Sequence, residues 1–198
     1  MNKIKIEYKK TSKTFHGVRY IRENSNSTFI DFITKEGIIK VELDNINKIN
    51  NILQCFRNIE KLVCLDFHGV ADLYNGNEKI PTLLPKCIIS YIGGKPETIK
   101  NTIDEIKPRV LSNEIIMGII VYNKDNNPTC GTKGWIIKTI KAINNNMTIH
   151  FIDDSMKNIN CVNNVSDKDI HTYFIDKFIN KQNNMIPKEQ LSYILNKI

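Results

Sequence analysis

Hydrophobic and polar positions change period several times along this chain, and the changes mark its elements. Thr28 to Thr34 and Ile38 to Leu43 are β-rich runs on either side of Lys35-Glu36-Gly37, a hairpin signal. Upstream, Ile4, Ile6 and Tyr8 alternate with polar residues, so residues 1–60 are expected to hold three or four antiparallel strands. Asp44 then caps a helix that carries Ile46, Ile49, Leu53, Phe56 and Ile59 at helical spacing.

Beyond residue 60 strand and helix patterns alternate. Leu62-Val63-Cys64-Leu65 is a short apolar run that stops at Asp66 and turns at Gly69. Lys86 to Tyr91 is the next strand; Pro96 opens a helix to about Ile106, and Pro108 closes it. Glu114 to Tyr122 is a strand, 123–132 a polar loop, and Lys133 to Ile143 a helix with Trp135, Ile136, Ile140 and Ile143 on its apolar side. Thr148 to Ile152 is a strand ending at Asp153-Asp154. Tyr173 to Phe178 reads as a short strand or a helix start, and Pro187 opens a terminal helix to Ile198. Such alternation implies an α/β fold whose parallel sheet is covered by helices on both faces. A β-rich extension, residues 1–60, precedes the core domain, residues 61–198.

At 198 residues the chain is long enough for a genuine core, and 41% hydrophobic with 25% charged residues is an ordinary globular balance. No apolar stretch approaches the roughly 20 residues of a membrane span. Met1-Asn2-Lys3-Ile4-Lys5 lacks the apolar segment of a secretory signal, so a cytoplasmic location is expected. Cys55, Cys64, Cys87, Cys130 and Cys161 are odd in number, have no Cys-x-x-Cys spacing and mostly sit in apolar runs, which points to reduced core thiols. The formal charge of +7 comes with heavy use of Lys, Asn and Ile throughout, the mark of an AT-biased genome. No Lys/Arg block is interleaved with aromatics, so nucleic acid remains open as a partner without being indicated.

Candidate chemistry lies where apolar runs end in carboxylates. Asp66 after one strand and Asp153-Asp154 after another make a site for a hard cation such as Mg²⁺, which favours one or two carboxylates plus water and phosphate oxygens. His16, His150 and His171 show no metal-ligand spacing.

The order of these residues resembles the haloacid dehalogenase-like (HAD) superfamily. Asp66-Phe67-His68-Gly69-Val70, a strand ending in Ser90, Lys133 opening a helix, and Phe151-Ile152-Asp153-Asp154-Ser155 match its four motifs in sequence. The resemblance covers roughly residues 61–178 and implies a Rossmann-like sheet of the HAD type with a Mg²⁺-dependent phosphatase or phosphotransferase site. By that resemblance Asp66 is the nucleophile that becomes an aspartyl phosphate. Asp154, the His68 backbone carbonyl and Asp66 bind Mg²⁺, with Asp153 binding or orienting the metal more remotely. Ser90, with the amides that follow it at Tyr91, holds a phosphoryl oxygen, and Lys133 neutralises the charge shared by nucleophile and phosphate. Asp66 and Ser90 are too close for a large inserted cap, so the site is expected to be open. An open site suits a large phosphorylated substrate, a protein or nucleic acid, or closure by residues 1–60.

One departure stands out. Phosphatases of that family carry a general acid/base aspartate two residues after the nucleophile, and this chain has His68 there. Losing a positioned acid/base costs typically about 10²–10⁴-fold in rate, although a histidine can do such work near neutral pH. Beside an active phosphatase, two other readings follow: a degenerate HAD-like binding or regulatory module, and a C–X or phosphonate hydrolase that needs no second aspartate.

Overall fold

The computed structural model describes residues 28–74, 78–123, 131–165, 167–178 and 185–198. There, seven strands form one mixed sheet: β1 (Thr28–Ile33), β2 (Ile38–Glu42), β3 (Lys61–Leu65), β4 (Lys86–Gly93), β5 (Met117–Asn123), β6 (Thr148–Asp153) and β7 (Ile170–Phe174). Their spatial order is β2-β1-β5-β4-β3-β6-β7. The strands from β3 to β7 run parallel, and β1 runs antiparallel to both β2 and β5.

Helices cover both faces. On one, α1 (Ile46–Leu53), α3 (Gly131–Ile143) and α4 (Met156–Asn163) bury Leu53, Ile140 and Val162 over Cys64, Ile119 and Phe151. On the other, α2 (Pro96–Leu111) and α5 (Pro187–Leu195) bury Ile106, Val110 and Leu191 over Val63, Leu65 and Ile120. Burial on both faces is why β3 to β6 read as continuous apolar runs and not as alternation. Cys64 and Cys87 are reduced neighbours inside this core, with sulfurs 3.4 Å apart. No helix among the described residues is long and apolar enough to cross a membrane.

Several expectations shift. The N-terminal hairpin joins the main sheet, because β1 pairs with β5 from Thr28↔Asn123 to Ile33↔Gly118. All six residues of β1 are buried, and a strand covered on both faces is most stable with neighbours on both edges. Ile4, Ile6 and Tyr8 lie outside the described residues. Pro108 does not close α2, which continues to Leu111. The N–H that Pro108 lacks costs one helical bond near the end of α2, and burial of Arg109 and Val110 holds the last turn. The last strand is Ile170–Phe174, not the segment to Phe178; the terminal helix stops at Leu195, and β5 begins at Met117 because Glu114 and Ile115 donate back to the Arg109 carbonyl.

Candidate active site

β3 lies between β4 and β6. From β3 the chain passes over the α2 face to β4 and β5, then returns over the α3 face to β6 and β7. The segments leaving the carboxyl ends of β3 and β6 thus depart toward opposite faces. The crevice between such strands is where open α/β sheets hold ligands.

Asp66 is the first residue past β3 and Asp153 the last of β6, and the Asp66 amide donates to the Ile152 carbonyl at 2.9 Å. The two carboxylates therefore leave neighbouring strands at one level. Lys133, in the first turn of α3, reaches both: its Nζ is 2.8 Å from Asp66 Oδ1 and 2.7 Å from Asp153 Oδ2. All three side chains are buried. Asp66 Oδ1 also accepts the Phe67 amide at 2.8 Å, while Oδ2 accepts no bond among the described residues. Burial pushes the Asp66 carboxyl up to about 6, against the opposing pull of the Lys133 ammonium. For Lys133 burial favours the neutral amine, but Asp66 and Asp153 outweigh it and hold its pKa above the ordinary lysine value.

Asp153 is saturated. Besides Lys133 it accepts the Ser155 amide at 2.8 Å and the Asn158 side-chain amide at 3.1 and 3.0 Å. Asp154 pairs through Oδ2 with Lys177, 3.2 Å away, and backs onto Gly69. Gly69 has φ +78°, and a Cβ there would stand 2.0 Å from Asp154 Oδ2. Only glycine allows the loop after Asp66 to approach this carboxylate. Asp72 closes the same loop by accepting the Gly69 amide at 2.7 Å. Oxygens of Asp66, Asp153 and Asp154 all lie within 4.8 Å of one another. An all-carboxylate set of this size suits a hard divalent cation. The bonds already made by Asp153 suit it to orienting Lys133 and the Asp154 turn, leaving Asp66 and Asp154 for the ion.

The other sequence candidates are placed differently. The His68 side chain is exposed, with its ring edge-on to Phe67 and centroids 4.9 Å apart. Ser90 is inside β4, three residues before its end, and fully buried with no partner for Oγ. Strand alternation puts it on the side of Ile88 and Ile92, with the loop residues Phe67 and Val70, while Asp66 and Lys133 meet on the α3 side. Tyr91 alternates to the α3 side and is half-buried there. Of residues 1–60, expected as one means of closure, the described hairpin sits at the sheet edge with β5 and β4 between it and β3, and residues 1–27 lie outside the described residues.

Four contributors carry no sequence motif. Asn158 braces Asp153 from one turn into α4, a spacing that a helix-start reading of Asp153-Asp154-Ser155 makes legible. Arg109, buried in α2, donates to the carbonyls of Ala71 and Tyr74 and pairs with Glu114 at 2.9 Å, which pins the far end of the Asp66 loop. Gly134 lets α3 lie against α4, since a Cβ there would meet the Cys161 carbonyl oxygen at 2.7 Å. Lys177 comes from the segment after β7. Comparison with known proteins gives no match to this chain, whether to a family model, a curated protein or a solved structure.

Proposed function

We propose that this chain is a Mg²⁺-dependent phosphatase or phosphotransferase of the HAD-like type, acting through an aspartyl phosphate on Asp66. The observation that carries the reading is the convergence of Asp66, Lys133, Asp153 and Asp154, distant in sequence, on the carboxyl ends of two adjacent strands. A turn aspartate has no need of a buried lysine, and a helix start has no need of a second carboxylate from another strand.

The chemistry follows from the bonds. Lys133 and the Phe67 amide fix Asp66 through Oδ1, so Oδ2 is the oxygen presented for attack. Attack of Oδ2 on phosphorus forms the Asp66–phosphate bond as the bond to the leaving oxygen breaks; water, or an acceptor hydroxyl, then takes the phosphoryl group from Asp66. Lys133 stays charged throughout and offsets the negative charge that nucleophile and phosphate share. A Mg²⁺ ion held by Asp66, Asp154 and the His68 backbone carbonyl would neutralise phosphoryl oxygens. Ser90, fully buried on the other face of the sheet from Asp66 and Lys133, takes no part in this step.

A second reading, a non-catalytic binding module, draws on His68. Its exposed side chain supplies no carboxylic acid to a leaving oxygen. Good leaving groups such as aryl or acyl phosphates need no such acid and should therefore be the preferred substrates. The deciding assay is hydrolysis of an aryl phosphate with and without Mg²⁺ by the wild type, Asp66→Asn and His68→Asp. Metal-dependent turnover that Asp66→Asn abolishes supports the enzyme. Turnover that appears only in His68→Asp favours the binding module, and equal or faster turnover of simple alkyl phosphates contradicts the leaving-group preference.

A further inference from the structure

Lys177 is the cation of this site that nothing above uses. Its Nζ lies 3.2 Å from Asp154 Oδ2, yet its side chain is 63% exposed, whereas the Asp154 side chain is 9% exposed. The backbone beneath it is firmly mounted. The buried Gln190 of α5 accepts the Asp176 amide at 3.0 Å and donates to the carbonyls of Asp176 and Phe178 at 3.3 and 3.2 Å, one residue either side of Lys177. A fixed Cα with a long, solvent-facing side chain is an arm that can swing without disturbing the fold.

Charge and crowding at Asp154 say when it swings. Asp66, Asp153, Asp154 and Asp72, whose charge acts on Asp154, bring four negative charges, and Lys133 and Lys177 return two positive ones, which leaves the site at minus two. A divalent cation offsets this excess, but it and the Lys177 ammonium need the same Asp154 carboxylate. Asp154 Oδ2 is also crowded from behind by Gly69, so ammonium and metal ion compete for the same open side of one carboxylate. We propose that Lys177 is a placeholder that occupies Asp154 in the metal-free protein, yields it to the divalent cation, and then meets the phosphoryl anion from the solvent side. This rests on the reading of Asp66 and Asp154 as metal ligands.

Two signs in opposite directions identify such a residue. Lys177→Met keeps the length of the arm and removes its charge. An exposed ion pair is worth up to about 1 kcal/mol, so releasing it makes the metal bind up to about fivefold tighter. At the same time the phosphomonoester loses a positive contact, so KM rises severalfold while kcat changes less. The experiment is calorimetric titration of Mg²⁺ alone into the full-length wild type, Lys177→Met, Lys177→Arg and Asp154→Asn, followed by KM measurements on an aryl phosphate. Tighter metal binding in Lys177→Met, restored to wild-type affinity in Lys177→Arg, is the expected result. Unchanged or weaker binding in Lys177→Met, with wild-type binding that Asp154→Asn removes, overturns the placeholder and leaves the metal site standing. Binding that Asp154→Asn does not weaken, or no binding by the wild type, overturns the metal reading and the placeholder with it.

Discussion

Helix α3 carries a buried lysine at each end, and the two live in opposite circumstances. Lys141, in the last turn, donates to the carbonyls of Asn145 and Met147 at 2.6 Å each and to Asp169 at 3.1 Å. A cation there is welcomed by the negative end of the helix dipole and satisfies carbonyls that need donors. Lys133, in the first turn, sits at the positive end, where the dipole opposes it, and is held by Asp66 and Asp153, with the Phe151 ring centroid 5.9 Å from its Nζ. One lysine completes a helix. The other is kept at a cost by two carboxylates that would themselves be costly to bury without it. Stability explains the first, and chemistry at the carboxyl edge is the better account of the second.

Substituting the two lysines alike is the strongest way to break that contrast. Lys133→Met leaves Asp66 and Asp153 buried without a counter-charge and should cost about 3–5 kcal/mol in denaturant unfolding, with loss of any turnover. Lys141→Met loses hydrogen bonds at the helix end, so about 1–3 kcal/mol is expected, with Mg²⁺ affinity and turnover intact. Equal costs, or turnover lost in both, would show that the two ends do not differ in kind.

The raised Asp66 carboxyl sharpens the same point through pH. Its pKa in the folded protein, about 6, stands above the ordinary 3.8, so the folded state holds its proton after the unfolded state has released it. Metal-free stability should therefore fall as pH rises from about 4 to about 6 and then level off, by at most about 3 kcal/mol for this group. Melting curves across that range should show the fall in the wild type and a smaller one in Asp66→Asn. Identical slopes would mean that Asp66 is not the strained group.

Smaller effects are expected around the loop. Gly69→Ala forces a left-handed residue, costing about 1–2 kcal/mol, and pushes Asp154 aside, so Mg²⁺ affinity should drop more than global stability. Ser90→Ala removes a buried hydroxyl that has no partner, on the sheet face away from Asp66, and should stabilise the protein by up to about 1 kcal/mol with KM for a phosphomonoester unchanged. A loss of stability in Ser90→Ala, or a raised KM, would show that the hydroxyl has a partner after all.

Composition and period were sufficient to read the alternating core, because each strand of β3 to β6 is buried on both faces and each helix carries one apolar stripe. Asp66 and Asp153-Asp154 were legible for a related reason: a carboxylate that ends an apolar run is costly to bury without a counter-charge, so it marks a strand end where a site is built. Lys133 was legible through the resemblance, as the lysine that opens the helix after β5. What only the tertiary structure decided are the contacts made between elements. The pairing of β1 with β5 depends on which edge is left open, and a hairpin pattern carries no such address. Arg109 on the Asp66 loop, Gly134 against Cys161 and Lys177 on Asp154 are ordinary polar or small residues in their own segments. Periodicity records which face of an element is buried; it holds no information on which neighbour's backbone or carboxylate that element meets, and those meetings are set by the packing of the whole sheet.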